Sequence, residues 1–490
     1  MSDTVTQDHY ATLIAHLIQA FDELHSTVLR KVAESTYISP LSDYPTMAFR
    51  DNGFPYFTKQ GSFQAARLNY VGTLRPSSIV AALLFKRDDE LDLPQNDALE
   101  SYVRESPFAH QFKVSGDFNG YRLARMIDGA VERYIQLHGL SERVKSKRAT
   151  VLLPIFNAIT YETYVLRLMV PIALTAFEFD HFRVNDSTYI ARIPQGIQLA
   201  RSMNRGVHSG ATDGVLEAAT HALVSCNWSI EPGGISELHY GLLYPGPAVL
   251  STIDLFFASL RAATGADTGY AQIVMLPYRW ATAFYADLPQ VFGASIRKYP
   301  SAFDADYYKI GLSTVSLADM LEVKRIYNLI VPMENDRISI ALKRLNACMT
   351  REDAVDAILD ACIGLEVLLG KGAEAISHKI RMRAAALASL RPNSDPNAVL
   401  RQVKAIYDFR SKVVHGDTSQ KRKGKKLDGV ESSQFAEQRK LATDMLRFIV
   451  DVMVEHPRFL DDPEAIDSEL LLGFFQPPLD MDEPNLPGVE

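Results

Sequence analysis

The segment Ile406-Tyr407-Asp408-Phe409-Arg410-Ser411-Lys412-Val413-Val414-His415-Gly416 sets a permanent cation five residues before a titratable imidazole. Arginine stays charged at every physiological pH. Its planar fork fits two phosphate oxygens, so Arg410 suits a place where negative charge builds up. Histidine titrates near neutrality, and His415 can take or give a proton as general base or general acid. The pair therefore suits phosphoester chemistry. Lys412 lies between them, and five more cations follow at Lys421, Arg422, Lys423, Lys425 and Lys426. Such a run either attracts a polyanion or stays solvated. Residue types alone leave a plain alternative for the pair as well. A His at a helix C-terminus is favoured by the macrodipole when protonated, and an Arg on a helix is ordinarily a solvated charge.

The spacing Arg, four to six residues, His occurs four times: Arg104/His110, Arg133/His138, Arg201/His208 and Arg410/His415. Chance supplies about two or three such matches in a chain of this composition. The elements around each pair must separate them. From Asp336 onward the apolar spacing is helical. The pattern predicts helices over Asp336 to Met349, over the segment capped by Thr350 and Asp353 that stops at Gly370, and over Ala373 to Leu390. Asp395-Pro396 then gives a cap with Pro at the first helical position, opening a fourth helix that ends near Gly416. A fifth spans about Ser433 to His456. Five helices with short connections make a bundle, and only Arg410/His415 lies in it.

Within this bundle the order Gly364-Leu365-Glu366-Val367-Leu368-Leu369-Gly370, then His378-Lys379-Ile380-Arg381-Met382-Arg383-Ala384-Ala385, then Tyr-x-x-Arg-Ser-x-x-Val-His-Gly resembles the Apea-like branch of the HEPN family. Those proteins are small helical bundles that include many ribonucleases and are associated with anti-phage defence. The resemblance covers about Asp336 to His456, with a fainter likeness over Phe177 to Arg201 and Ala218 to Ile230. Many HEPN motifs carry Asn, Asp or His directly after the Arg, where this chain has Ser411. The resemblance implies a metal-independent endoribonuclease with Arg410 and His415 as catalytic residues and Glu366 and Ser411 in support, Glu366 either orienting Arg410 or His415 or simply pointing to solvent. Lys412 and the basic loop would hold RNA. It also implies a homodimer or higher homo-oligomer that brings two Arg–His pairs into one cleft, no cofactor, and a phage-derived trigger or an antitoxin as partner. A bundle that dimerises and binds RNA or a nucleotide without cutting it is the alternative. Arg381 and Arg383 either line the cleft or pair with surface acids.

The rest of the chain divides around this bundle, giving an α+β protein: a mixed α+β accessory region followed by an all-α bundle. Tyr10, Leu13, Ile14, Leu17, Phe21, Leu24 and Val28 recur at helical spacing and predict an amphipathic helix within residues 1–36. Residues 37–335 read as an α+β sensor or substrate-selecting region, with a sub-boundary near 142–148. Strands are expected at Thr150 to Ile159, Tyr164 to Leu174, Phe182 to Ile197, His221 to Ile230 and Ala271 to Trp280. The bundle occupies residues 336–458 and an acidic tail residues 459–490.

Composition sets outer limits. Of 59 acidic residues nine fall in Asp461 to Glu490, which has no Lys or Arg, so 51 basic residues face 50 acidic ones in the body. Bulk charge therefore neither supports nor excludes a nucleic-acid partner. Three cysteines without C-x-x-C spacing argue against a disulfide framework or a Cys-based zinc site, and the histidines lack metal-ligand spacing. The N-terminus lacks the basic start of a targeting signal. The most apolar run, Tyr164 to Phe177, is shorter than the ~20 residues of a membrane span. A cytoplasmic protein without a membrane partner is expected. The tail's apolar island, Leu470 to Phe475, is expected either to dock on the body or to stay solvated.

Overall fold

The computed structural model describes residues 2–59, 67–74, 91–141, 143–205, 210–231, 233–243, 245–371, 375–414 and 429–473. The chain is α+β and divides into two compact units, neither of them one continuous stretch. The first gathers Met1–Val249, Tyr270–Lys298 and Asp304–Leu312; the second gathers Leu250–Gly269, Tyr299–Phe303 and Ser313–Glu490. The bundle read from the sequence as starting at residue 336 thus takes in segments that lie well upstream of it.

In the N-terminal unit, helix α1 (Ser2–Glu34) keeps Leu13, Leu17, Phe21, Leu24 and Val28 fully buried. That apolar stripe is the amphipathic face predicted from the spacing. It packs on α2 (Pro94–Glu105), α3 (Gly120–His138) and α4 (Lys145–Thr160). Helix α4 overturns the strand expected at Thr150 to Ile159. A short apolar run has no period of its own, and here Val151, Leu152, Ile155, Ala158 and Ile159 are buried on a helix that even accommodates Pro154. The turn-rich stretch after α1 contains a small antiparallel hairpin, Pro45–Phe49 with Pro55–Lys59, turning at Asp51-Asn52-Gly53.

The main sheet has six strands: β1 (Tyr164–Ala173), β2 (His181–Arg183), β3 (Thr188–Arg192), β4 (His221–Ile230), β5 (Gly269–Pro277) and β6 (Phe292–Lys298), in the order β6-β5-β1-β4-β3-β2. The expected strand Phe182 to Ile197 is in fact two short strands, followed by helix α5 (Gln195–Met203). In β1 and β4, Tyr164 pairs with Ile230 and Pro171 with Ala222. Burial alternates near Tyr164 but is continuous from Leu168 to Ala173 and from His221 to Ser225. Covered on both faces, that half of the sheet reads as an unbroken apolar run. Helix α6 (Ile235–Leu243) follows β4.

The second unit is helical. From Leu250 on, helix α7 (Pro247–Thr264) belongs to it, with Ile253, Phe256, Phe257 and Leu260 fully buried. Gly241–Thr264 is long and apolar enough to cross a membrane by length and composition, a test the most apolar run in the sequence did not single out. Helix α8 (Leu317–Ile330) starts at a capping box in which Ser316 Oγ accepts from Asp319 N at 3.1 Å and Asp319 Oδ2 accepts from Ser316 N at 2.8 Å. Helix α9 (Asp336–Thr350) is capped by Asn335, whose Oδ1 accepts from Arg337 N and Ile338 N. Thr350 does not cap the next helix. Its hydroxyl donates back to Asn346 O, and Asp353 alone caps α10 (Ala354–Leu369), accepting from Asp356 N at 2.9 Å. Then come α11 (Ile376–Ala388), α12 (Pro396–Val414), whose Pro396 follows the capping Asp395, and α13 (Gly429–Glu455). Leu345, Leu365, Leu368, Val403, Leu446 and Ile449 meet in one apolar core. Each such fully buried side chain contributes about 2 kcal/mol of transfer free energy.

The first part of the acidic tail docks on this core. Lys371 Nζ pairs with Asp462 and Glu464 at 3.1 and 3.0 Å. Asp467 grips Arg383, which is itself fully buried, at 2.9 and 2.5 Å. Leu470 packs against the core, whereas Leu471 and Leu472 are exposed. The rest of the apolar island, Phe474 and Phe475, lies outside the described residues.

Candidate functional site

Helices α10 and α12 pack side by side, and each presents a polar pair about one turn apart. On α10 these are Cys362 and Glu366; on α12 they are Tyr407 and Arg410. Glu366 Oε1 lies 3.2 Å from Arg410 Nη2, with Glu366 one-fifth and Arg410 one-third exposed. The Arg410 guanidinium carbon is 5.8 Å from the centre of the Tyr407 ring. The pair is an approach of opposite charges without an aligned hydrogen bond. Glu366 Oε1, Arg410 Nε and Tyr407 Oη are all buried, and none makes a well-aligned hydrogen bond among the described residues, although the Tyr407 hydroxyl stands close enough to the Glu366 carboxylate to feel it as an acceptor. Three such atoms in one place are unusual, because a buried polar group normally finds a partner. The unused capacity is what a substrate, or a further side chain, would take up.

Burial holds the Tyr407 hydroxyl well above its ordinary pKa, with the Cys362 and Glu366 charges adding and Arg410 opposing. The Cys362 thiol is pushed up to about 12, chiefly by burial, so it is an inert packing group. The second glycine of the Gly-Leu-Glu-Val-Leu-Leu-Gly run has a physical reason. Gly370 N donates to Glu366 O at 2.8 Å, and a Cβ at position 370 would stand 2.4 Å from that same oxygen. Any side chain there would displace the last turn of α10, which carries Glu366.

The other predicted site residues are placed as follows. Ser411 and Lys412 are exposed on α12, beyond Arg410. His415 and the cations Lys421, Arg422, Lys423, Lys425 and Lys426 lie outside the described residues. Arg383 pairs with an acid of the tail and donates to Leu369 O at 2.7 Å; it is a strut of the fold. Arg381 approaches His378 Nδ1 at 3.4 Å.

The arginines of the three rival Arg–His pairs serve the structure. Arg104 meets Glu100 one turn earlier at 2.5 Å. Arg133 donates to Leu288 O at 2.7 Å. Arg201 is completely buried, and donates to Leu216 O and Glu217 O at 2.8 Å each and to Gln198 Oε1 at 2.7 Å. Burial lowers its pKa to about 9.

The sequence reading missed a second feature of the bundle. A cavity of about 360 Å³ is lined by Arg351, Arg439, Lys440 and Arg447, against two acids, Asp267 and Asp444. Asp444 pairs with Lys440 and Arg447, and Arg351 with Asp360. Arg439 donates to Cys348 O at 3.0 Å and has no carboxylate partner among the described residues. The signal was present as three cations on one helix, α13, which the apolar spacing alone presents as a core element. Among the described residues no group of three or more His, Cys, Asp or Glu side chains is placed to hold a metal ion.

Compared with protein-family models, with curated proteins and with solved structures, the chain finds no match.

Proposed function

We propose that the C-terminal unit is a HEPN-type bundle and that the protein is a metal-independent endoribonuclease, with Arg410 and His415 as its catalytic residues. The observation that carries this reading is the state of Arg410. Among the arginines that fit the spacing, it is the one that meets a single carboxylate, Glu366, and keeps a buried donor without a partner. In the proposed reaction His415 takes the proton of a ribose 2′-OH, and the 2′-oxygen attacks the adjacent phosphorus. Arg410 then balances the charge of the pentacoordinate state. The bond to the 5′-oxygen breaks, and that oxygen is protonated by the His415 of a second copy in a two-fold dimer. The products are a 2′,3′-cyclic phosphate and a 5′-hydroxyl. Glu366 orients the guanidinium, while Lys412 and the basic loop hold the RNA backbone. On this reading the N-terminal unit senses a phage-derived trigger or selects the RNA in the cytoplasm, in anti-phage defence, and an antitoxin is a possible restraint.

The test is incubation of the purified protein with total tRNA in EDTA, beside His415→Ala, with mass analysis of the new ends. Cleavage to 2′,3′-cyclic phosphate by the wild type alone supports the reading; equal cleavage by the variant sinks it. The cation-lined cavity of about 360 Å³ favours a second reading, in which the bundle binds RNA or a nucleotide without cutting it. Retained RNA affinity with no product at any pH selects that one.

A further inference from the structure

We propose that the N-terminal unit binds a small organic anion with an apolar body, in a cavity of about 530 Å³ formed by α3, α5, α6 and the loop of residues 282–291. The volume falls within the range of small-molecule sites. Met126, Ala200, Met203, Ile235, Leu238 and Phe292 give it an apolar lining. Two cations, Arg122 and Arg125, also line it, and no Asp or Glu does. Arg122 makes no ion pair with any described residue, so its fork is open to an incoming carboxylate or phosphate. Next to apolar walls such a charge-assisted hydrogen bond is stronger than one made in water.

The wall that closes the cavity is fixed in advance. Gln290 Oε1 accepts from Thr282 N at 2.7 Å and from Ala283 N at 3.3 Å, while Gln290 Nε2 donates to Thr282 Oγ1 at 2.9 Å. One side chain thereby ties the two ends of the loop together. Arg133 holds its middle through Leu288 O. A Cβ at Gly129 would stand 3.3 Å from Phe284 N, so the loop lies directly on α3 because that helix has no side chain there. A ligand entering such a site has little protein to order, and the ordering cost that weakens binding is small. The inference is independent of the ribonuclease reading, since every residue it uses lies in the N-terminal unit.

The experiment is a fluorescence titration of the full chain with 1-anilinonaphthalene-8-sulfonate, an anion with a flat apolar body, beside the uncharged N-phenyl-1-naphthylamine. Saturable one-to-one binding of the anion, at least tenfold tighter than the uncharged dye, is expected. Arg122→Ala should weaken it about tenfold, Arg122→Lys should restore part of the loss, and Met203→Trp should abolish it by filling the cavity. Circular dichroism of each variant checks the fold, and Arg122, half-buried and without an ion pair to lose among the described residues, makes Arg122→Ala the safer substitution. No saturable binding, equal affinity for both dyes, or unchanged affinity in the Arg122→Ala and Met203→Trp proteins would each overturn the proposal. Displacement of the bound dye by nucleoside monophosphates assigns a phosphate head, and displacement by aromatic carboxylates a carboxylate head. Displacement by neither counts against the site.

Discussion

Arg201 in the N-terminal unit and Arg410 in the C-terminal unit carry the same side chain and fit the same spacing to a histidine, yet their surroundings differ in kind. Arg201 has no exposed surface, and its nitrogens are taken up by two carbonyls and the amides of Gln198 and Gln272. Arg410 is one-third exposed, faces one carboxylate and keeps a buried nitrogen without a partner. A guanidinium whose every nitrogen is engaged holds a fold; one with a nitrogen to spare can act on something else. Counting hydrogen bonds therefore discriminates where sequence spacing does not.

The sharpest way to break this contrast is substitution at the two arginines. Arg201→Leu takes a donor from the buried carbonyls of Leu216 and Glu217, of which Glu217 O keeps Ala219 N, and from the side-chain oxygens of Gln198 and Gln272, and should cost about 3–5 kcal/mol of stability, read from urea unfolding. Arg410→Ala should leave stability within about 1 kcal/mol of wild type while lowering tRNA cleavage by about 100- to 1,000-fold. If Arg410→Ala unfolded the protein as badly as Arg201→Leu, the distinction between the two would fail. A third expectation concerns pH. His25 of α1 is 1% exposed and stacks on Phe21, and neither ring nitrogen has a partner. Burial lowers its pKa from 6.5 to about 4. Between those values the unfolded chain binds a proton that the folded chain refuses. Stability should thus be unaffected by this group above pH 6.5 and fall on acidification to about pH 4, by on the order of 3 kcal/mol. His25→Phe should flatten that part of the stability–pH profile, and an unchanged slope would show that the imidazole titrates in place. The smallest effect is expected at Asp467→Ala. Arg383 then keeps its bond to Leu369 O but loses its carboxylate, which should cost about 2 kcal/mol by thermal unfolding.

The helical unit was the more legible part of the chain. Its apolar spacing, the Asp395-Pro396 start and the stop at Gly370 each carry a local cause, so helices α9 to α13 follow from neighbouring residues alone. The sheet was partly legible. Tyr164 to Leu174 and His221 to Ile230 announced themselves through bulky β-formers, whereas the apolar run at Thr150 to Ile159 is equally suited to a buried helix, and tertiary packing decided for α4. At the site, the resemblance put Arg410 and Glu366 forward, and the two side chains, on α12 and α10, stand 3.2 Å apart. What could not be read was geometry that joins distant segments: the partner of Arg383 lies 84 residues on, at Asp467. The cavity lined by α3, α5 and the loop after β5 likewise draws on segments far apart in sequence, and no local pattern encodes it.

The capture of Leu250–Gly269 by the C-terminal unit has a consequence for how the molecule is made. Helix α7 leaves the ribosome long before its covering partners on α13, among them Leu446 and Ile449. At an ordinary translation rate the interval is roughly ten to thirty seconds. Throughout it Ala258 and Ala262, which share one apolar core with Leu446 and Ile449, lack those neighbours, while Phe256 already has Tyr327 of α8 to pack against once that helix is made. Biosynthesis of this chain is therefore a waiting problem, in which one face of an early helix stays incompletely covered until the last long helix arrives.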